Sequence, residues 1–174
     1  MPDDGLEQLK EFDAIFLGAV GDHPNLVSDH ISLWGLLLNI RRGFEQTINI
    51  RPAKYFEGLS SPLKNTNNFD FIVVRENSEG EYSEAGGRIH QGKDEIAIQN
   101  AIFTRKRTES VMRYAFELAI KRKKHVTSAT KSNGIFHSMP FWDEVFAEIA
   151  REYDDVQTNQ RHIVHWSFVC HETV

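Results

Sequence analysis

The chain has 174 residues, which allows one domain with a hydrophobic core. Its composition is typical of a soluble globular protein, with 40% hydrophobic residues, and no apolar run is long enough for a membrane span. The net charge of -5 gives no electrostatic reason to expect nucleic acid or a membrane as partner. The one cysteine, Cys170, excludes an intrachain disulfide framework and favours a cytoplasmic location.

Apolar patterns along the chain predict an alternation of strands and helices. Short apolar runs indicate buried strands, and apolar residues three or four positions apart indicate amphipathic helices. In chain order, we predict a strand at 13–20, a helix at 31–42 capped by Asp29, a strand at 69–75, a Gly-rich loop at 84–92, an edge strand within 95–104, a helix at 108–123, a strand at 125–130 and a helix that begins at Ser138 or Pro140. This order favours an α/β fold with a mainly parallel sheet flanked by helices.

Arginine, tyrosine and lysine residues next to these strands are candidates for a functional site. Arg75 directly follows an apolar strand, and Tyr82 lies seven residues beyond it. Arg41 and Arg51 lie upstream, and Lys131 lies downstream in a Thr-Lys-Ser-Asn-Gly segment. Arginines offer planar forks of N–H donors that match carboxylates, while Tyr and Lys can carry protons during a reaction. Together these residues predict a site that binds a small polyanionic acid and moves protons on it.

Each candidate also has an ordinary structural interpretation. Lone arginines usually form surface ion pairs, and we assign Arg42 to that class. Arg75 is harder to explain in this way, because α/β sheets place ligands at the carboxyl ends of strands. Judged by residue type alone, Tyr82 would be a partly buried tyrosine with a hydrogen-bonded hydroxyl, and Lys131 a solvated surface lysine. The eight histidines match no zinc-binding spacing.

Four motifs resemble, in the same order, those of the β-hydroxyacid oxidative decarboxylases, the family of isocitrate, isopropylmalate, tartrate and D-malate dehydrogenases. They are Asp-His-Ile-Ser-Leu-Trp-Gly at 29–35, Asn-Ile-Arg-Pro at 49–52, Val-Arg-Glu-Asn at 74–77 and Ser-Ala-Thr-Lys-Ser-Asn-Gly at 128–134. The tartrate and D-malate branch is the most similar. The resemblance implies a partial isopropylmalate-dehydrogenase-like fold, with residues 1–163 as the middle portion of the family domain and 164–174 as a divergent tail.

The resemblance implies NAD-dependent oxidation of a 2-hydroxy dicarboxylic acid such as tartrate or D-malate, with decarboxylation where the substrate permits. Arg41, Arg51 and Arg75 fall on the family's substrate-binding arginines. Ser32 and Trp34 occupy the segment that sets substrate preference in the family.

Three further residues receive roles from the resemblance alone. Tyr82 falls on the family's acid, which protonates the enol carbon after carbon dioxide leaves. Lys131 falls on the family's base, which relatives donate across a dimer to the partner's site. Asn133 falls on a residue that lies near the nicotinamide in relatives, and is therefore the cofactor-binding candidate.

Parts of the family pattern are absent from the sequence. These are the first βαβ segment, the aspartates that bind Mg²⁺ or Mn²⁺, and the His-Gly-Ser-Ala-Pro loop that holds the adenosine half of NAD. Val164 stands where the first metal-binding aspartate is expected, and valine cannot ligate a metal. We therefore expect this truncated chain to be inactive alone.

Three interpretations stay open from the sequence. The first is a portion of a homodimeric dehydrogenase that acts on a small hydroxy diacid. The second is a non-catalytic, truncated paralogue that forms a heterodimer with a full-length dehydrogenase and donates Lys131. The third is a remnant that does not fold stably.

Overall fold

A computed structural model describes residues 1–20, 30–60, 68–90 and 92–163. The chain divides into two compact units, Met1–Thr47 and Ile48–Val174. Within the described residues, no helix has both the length and the apolar character needed to cross a membrane. The limits predicted for the family domain and its divergent tail stay a prediction.

The first unit contains short helical segments. These are α1 (Gly5–Leu9), a π-helical segment (His30–Leu37) and α2 (Leu38–Gly43). The helix predicted at 31–42 is therefore confirmed, although its first half has π-helical hydrogen bonding; its predicted cap, Asp29, lies outside the described residues. Gly43 permits a close approach to α1, because a Cβ atom there would lie 2.7 Å from Leu6 Cδ1.

The strand predicted at 13–20 is wrong. Residues 14–20 have no regular secondary structure, and Phe16 and Val20 are 99% and 50% exposed. A strand requires a neighbour that bonds its backbone N–H and C=O groups, and no described strand pairs with this segment. Apolar composition alone therefore does not produce a strand here.

The second unit contains the strands and the two long helices. In chain order, it comprises β1 (Ile48–Lys54), β2 (Asp70–Glu76), β3 (Gly86–Ile89), a short 3₁₀ turn (Gly92–Asp94), β4 (Ile96–Gln99), α3 (Arg105–Ile120), β5 (His125–Thr130), α4 (Ser138–Ala150) and β6 (Gln157–His162). The predicted counterparts of β2, α3, β5 and α4 are confirmed, and an edge strand falls within 95–104 as expected. The strands β1, β3 and β6 were not predicted from the sequence.

The α/β class is confirmed, but the mainly parallel sheet is wrong for the described residues. β1 pairs with β2 and β3 with β4, both antiparallel, whereas β5 and β6 are parallel. The parallel pair is the one joined by a described helix, α4, because parallel neighbours require a crossover connection.

The loop predicted at 84–92 is partly replaced by β3. Gly86 permits close pairing with β4, since a Cβ atom there would clash with the carbonyl oxygen of Ile98. Small residues at such positions let two backbones approach closely.

The hydrophobic core of the second unit lies between α3 and α4. Phe116 and Val145 are fully buried, and the Phe116 ring stacks on Tyr153 with a centroid distance of 4.9 Å. Ile48 from β1 and Val74 from β2 pack against the same cluster. Buried side chains on these two helices include Val111, Ala119, Val145, Phe146 and Ile149. The core thus holds one face of the β1–β2 pair in place.

Ion pairs on the surface connect elements around this core. Arg113 donates two hydrogen bonds of 2.6 and 2.8 Å to the Glu152 carboxylate, and these bonds lower the pKa of Glu152 below its usual range. Arg122 donates a 2.5 Å hydrogen bond to Asp70, which lowers the pKa of Asp70. Both pairs are exposed, so each stabilises the fold only weakly.

Candidate active site

One face of the β1–β2 pair carries polar residues from both strands. Asn49 lies directly opposite Arg75, and Arg51 follows two residues after Asn49 on β1. Residues two apart on a strand, and residues directly opposite on neighbouring strands, share a face. We call this surface, defined by Asn49, Arg51 and Arg75, the arginine face. The opposite face, which includes Ile48 and Val74, packs on the core.

Arg51 is exposed on this face, and its guanidinium is held by a neighbouring amide. Arg51 Nε donates to Asn49 Oδ1 at 3.2 Å, and Asn49 Nδ2 donates to Asn77 Oδ1 at 3.3 Å. Asn77, just after β2, is only 5% exposed. Within the described ranges Arg51 forms no ion pair, so its charge is not neutralised by a neighbouring carboxylate. Such an arginine can receive the carboxylate of a ligand.

The structure brings Arg75 and Tyr82 together. The guanidinium carbon of Arg75 lies 5.2 Å from the centroid of the Tyr82 ring, which is a cation–π arrangement. Arg75 is half-buried and Tyr82 is 39% exposed, so the pair is accessible from solvent. The predicted substrate-binding arginine and the predicted acid therefore contact each other, although their roles stay predictions.

The loop between Arg75 and Tyr82 is held by two carboxylates that were not predicted to belong to the site. Glu76 accepts hydrogen bonds from the backbone N–H groups of Ser78 and Glu79, at 2.9 and 2.7 Å. Glu79 accepts from both the backbone N–H and the hydroxyl of Thr104, at 2.7 and 2.8 Å. The sequence feature that could have predicted this arrangement is the pair of glutamates, Glu76 and Glu79, in the Arg-Glu-Asn-Ser-Glu segment.

Lys131 and Asn133 lie in a tight turn immediately after β5. The carbonyl oxygen of Lys131 accepts from the N–H groups of Gly134 and Ile135, both at 2.9 Å. Lys131 is half-buried and Asn133 is exposed. In the described part of the chain, no hydrogen bond joins Lys131, the predicted base, to Tyr82, the predicted acid.

The remaining candidates lie on the first unit. Trp34 is 53% exposed on the π-helical segment, which also contains Ser32. Arg41 is half-buried in the last turn of α2.

The described residues do not fit a metal site of their own. None of the histidine, cysteine, aspartate and glutamate side chains in the described ranges form a group of three that could hold an ion. Val164, at the expected aspartate position, lies outside these ranges.

The paired glycines Gly86 and Gly87 lie in β3 rather than at a helix N-terminus, so they do not form a phosphate-binding turn for a dinucleotide. An open cavity of about 730 Å³ along α3 contains none of the candidate residues.

Strands and helices in this order define an α/β protein. The family model described as "Isocitrate/isopropylmalate dehydrogenase" matches residues 1–167. The chain belongs to the isocitrate/isopropylmalate dehydrogenase family.

Two relatives and one solved structure show where in the family the chain is similar. It is 68% identical over 163 residues to a "Probable tartrate dehydrogenase/decarboxylase" of Bacillus subtilis, which is 94% of this chain and 46% of the relative. It is 52% identical over 167 residues to "D-malate dehydrogenase [decarboxylating]" of Escherichia coli, with the same coverage. The crystal structure of isocitrate dehydrogenase from Methylococcus capsulatus matches 99% of this chain and 49% of that chain, with a TM-score of 0.76 and 27% identity. The chain thus spans about half the length of the curated relatives it matches.

Proposed function

We propose that this chain supplies the diacid-binding portion of a cytoplasmic, NAD-dependent dehydrogenase that oxidises a 2-hydroxy dicarboxylic acid such as tartrate or D-malate, with decarboxylation where the substrate permits. The observation that carries the proposal is the Arg75 guanidinium, 5.2 Å from the Tyr82 ring centroid, on a face that also carries Arg51, which forms no ion pair with a described residue. The printed names of the two relatives, tartrate dehydrogenase/decarboxylase and D-malate dehydrogenase, support the choice of acid.

The arginines bind the two carboxylates of the substrate in this proposal. Arg51 and Arg75 share one strand-pair face. The family resemblance assigns a third carboxylate contact to Arg41. Each guanidinium can donate two parallel hydrogen bonds to a carboxylate, which fixes orientation as well as position. Holding both ends of a diacid restricts its carbinol carbon to one pose, which lowers the entropic part of the barrier to reaction. Ser32 and Trp34 set which diacid fits.

Lys131 and Tyr82 handle the protons. Oxidation removes a hydride from the carbinol carbon and a proton from its hydroxyl. Asn133 would help to hold NAD, which would supply the hydride acceptor. Lys131 accepts the hydroxyl proton. Where carbon dioxide then leaves, the bond to carbon breaks with its electron pair staying on the product, and Tyr82 donates a proton to that carbon. The family resemblance also implies Mg²⁺ or Mn²⁺, which would polarise the substrate hydroxyl and would be held by ligands outside the described residues.

A homodimer would combine these two groups in one site. No described hydrogen bond joins Lys131 to Tyr82, and the half-buried Lys131 lies in an ordered turn after β5. From the family resemblance, in which relatives donate this lysine across a dimer, we propose that Lys131 of one protomer acts with Tyr82 of the other. The second candidate is a non-catalytic partner that forms a heterodimer with a full-length dehydrogenase and donates Lys131.

A chimera tests the proposed reaction. Residues 1–163 of this chain would be joined to the unmatched segments of the Bacillus subtilis relative, with that relative as the control. We expect metal-dependent NADH formation, with a higher kcat/KM for D-malate or tartrate than for isopropylmalate or isocitrate. A clear preference for isopropylmalate or isocitrate would show that the substrate assignment is wrong.

An assay of the 174-residue chain alone tests whether it can oxidise these acids by itself. We expect no NADH formation from it with any of the four acids in the presence of Mn²⁺. Co-elution of the chain with the full-length relative, together with turnover above that of the relative alone, would favour the heterodimer. Robust turnover by the chain alone would contradict its proposed incompleteness.

A further inference from the structure

We propose that Asn49 is a positioning residue that orients the Arg51 guanidinium so that its two terminal nitrogens receive a substrate carboxylate. The inference rests on the proposed function, because it concerns the same diacid site. It assigns to Asn49 a role exerted through Arg51 rather than by direct contact with the substrate.

Both polar atoms of the Asn49 side-chain amide form hydrogen bonds. Its Oδ1 accepts from Arg51 Nε at 3.2 Å, and its Nδ2 donates to Asn77 Oδ1 at 3.3 Å. Asn77 is 5% exposed, so the second bond attaches the amide to a buried position just after β2. Because Asn77 accepts from Nδ2 of Asn49, the amide oxygen of Asn49 faces Arg51 Nε. Nε is the guanidinium donor nearest to the backbone.

The occupied Nε has a chemical consequence for Arg51. A guanidinium can bind a carboxylate through Nε and one terminal nitrogen, or through both terminal nitrogens. Because Asn49 already accepts from Nε, the second mode is the one left to a ligand. Arg51 is exposed, and an exposed arginine without such a bond would lose more side-chain freedom on binding.

The location of Asn49 supports this role. Asparagine is depleted in strands, so its presence within β1 indicates a compensating contact. Asn49 lies directly opposite Arg75, and its amide bonds to a residue two positions beyond Arg75. A single side chain therefore connects Arg51 to the strand that carries the other arginine of this face.

The wild-type chain provides the first test, without any substitution. In a ¹⁵N-labelled sample, NMR can follow the exchange of arginine Nε–H protons with water. We expect the Arg51 Nε–H to exchange roughly two- to tenfold more slowly than that of Arg88, as one hydrogen bond predicts. Arg88 is the matched reference because its side chain is 75% exposed and it bonds Glu95 through a terminal nitrogen. Equal exchange at the two residues would overturn the inference.

A double-mutant cycle on the same chain tests whether Asn49 acts through Arg51. The arginine signals would be titrated with tartrate and with D-malate. Asn49→Ala is expected to weaken binding roughly three- to tenfold in the wild-type background, as the loss of one hydrogen bond predicts. It should have little effect in an Arg51→Lys background, because lysine has no Nε–H donor at that position. Asn159→Ala, in a strand and hydrogen-bonded to His125 at 3.2 Å, is the control and should leave affinity unchanged.

The outcomes separate this inference from the proposed function. If the wild-type chain binds the diacids and Asn49→Ala weakens binding equally in both backgrounds, Asn49 has only a structural role and the inference fails. If Asn49→Ala has no effect, it fails as well. If neither diacid shifts any arginine signal of the wild-type chain, the proposed role of the arginine face fails, whatever the exchange rate of Arg51. Should Asn49→Ala not fold, the comparison of Arg51 with Arg88 decides.

Discussion

The two units of the chain differ in how they bury apolar side chains. In the unit Met1–Thr47, Phe16 is 99% and Trp34 is 53% exposed, and Ile40 is the buried hydrophobic residue among the described positions. In the unit Ile48–Val174, Phe116 and Val145 are completely buried between two helices. Full burial of one such side chain stabilises a protein by about 1.5–3 kcal/mol. The hydrophobic stabilisation contributed by the described residues is therefore concentrated in the second unit.

The candidate functional residues divide along the same line. Arg51, Arg75, Tyr82, Lys131 and Asn133 belong to the packed unit, whereas Ser32, Trp34 and Arg41 belong to the other. Groups that transfer protons must be held in fixed positions, so their attachment to the packed unit fits their proposed roles. Substitutions in the packed unit are therefore expected to reduce turnover, and substitutions at Ser32 or Trp34 to change which diacid is preferred.

The largest expected effect concerns the proton-transfer residues of the packed unit. In the chimera, Lys131→Met keeps most of the side-chain volume but removes the base, and Tyr82→Phe removes the acid. Each homodimer is expected to lose roughly 10²–10⁴-fold in kcat, the usual contribution of a positioned acid or base. The measurement is NADH formation, and pyruvate or other decarboxylated product where the substrate permits.

Mixing the two inactive variants tests whether the residues come from different protomers. A heterodimer contains one site with both defects and one site with Lys131 and Tyr82 intact, so at most about half of full activity is expected. Homodimers of each variant, treated identically, are the control. If the subunits demonstrably exchange and no activity returns, Lys131 and Tyr82 do not act in one site from opposite protomers.

Two phenylalanines test the difference in burial directly. Phe116→Ala in the packed unit is expected to lower the free energy of unfolding by about 3–5 kcal/mol, because it leaves a cavity where a fully buried ring stacked on Tyr153. Phe16→Ala, the same substitution at a 99% exposed ring, is expected to change it by less than about 0.5 kcal/mol. Urea denaturation followed by circular dichroism measures both. Similar losses at the two positions would show that the first unit also has a core.

Burial also explains which elements could be predicted from the sequence. The strand β5 and the helices α3 and α4 were predictable, because their apolar residues follow the period of the element and pack against one another. The segment 13–20 has the same apolar composition as a buried strand, yet it is irregular and exposed, since pairing depends on a partner that composition does not reveal. The antiparallel β1 was missed because polar and apolar residues and a proline are mixed within it.

The candidate site was predictable only in part, for a related reason. Residue type and motif identified Arg51, Arg75 and Tyr82, and the structure places the last two in contact. The supporting contacts were not predictable, because Asn49 reaches Asn77 through the register of two strands far apart in sequence. Such contacts depend on register, and register follows from the fold rather than from a local motif.

A smaller effect is expected from a conservative change on the arginine face. Arg75→Lys in the chimera is expected to lower kcat/KM about ten- to a hundredfold, because lysine cannot provide a bidentate contact, and a charge-assisted hydrogen bond contributes about 1.5–3 kcal/mol. Arg88→Lys, at a side chain 75% exposed, is the matched control and should have almost no effect. If both substitutions reduce kcat/KM by the same small factor, Arg75 has a structural role only.

The smallest expected effect concerns the exposed ion pair between Arg113 and Glu152, which connects α3 to the residues after α4. Hydrogen bonding from Arg113 lowers the pKa of Glu152 in the folded state, so the pair stabilises the fold above the ordinary glutamate pKa of about 4.3. This contribution is lost as the pH falls through the lowered, folded-state pKa. Glu152→Gln should therefore slightly reduce the free energy of unfolding at pH 7. The free energies of unfolding of the wild type and the variant should become equal as the pH falls below the folded-state pKa of Glu152.

Glu144→Gln is the control, because Glu144 is an exposed residue of α4 without an ion pair to a described residue; its difference from the wild type should not disappear in this way. A difference that instead grows on acidification, in denaturant titrations repeated across this range, would rule out the pair as its source.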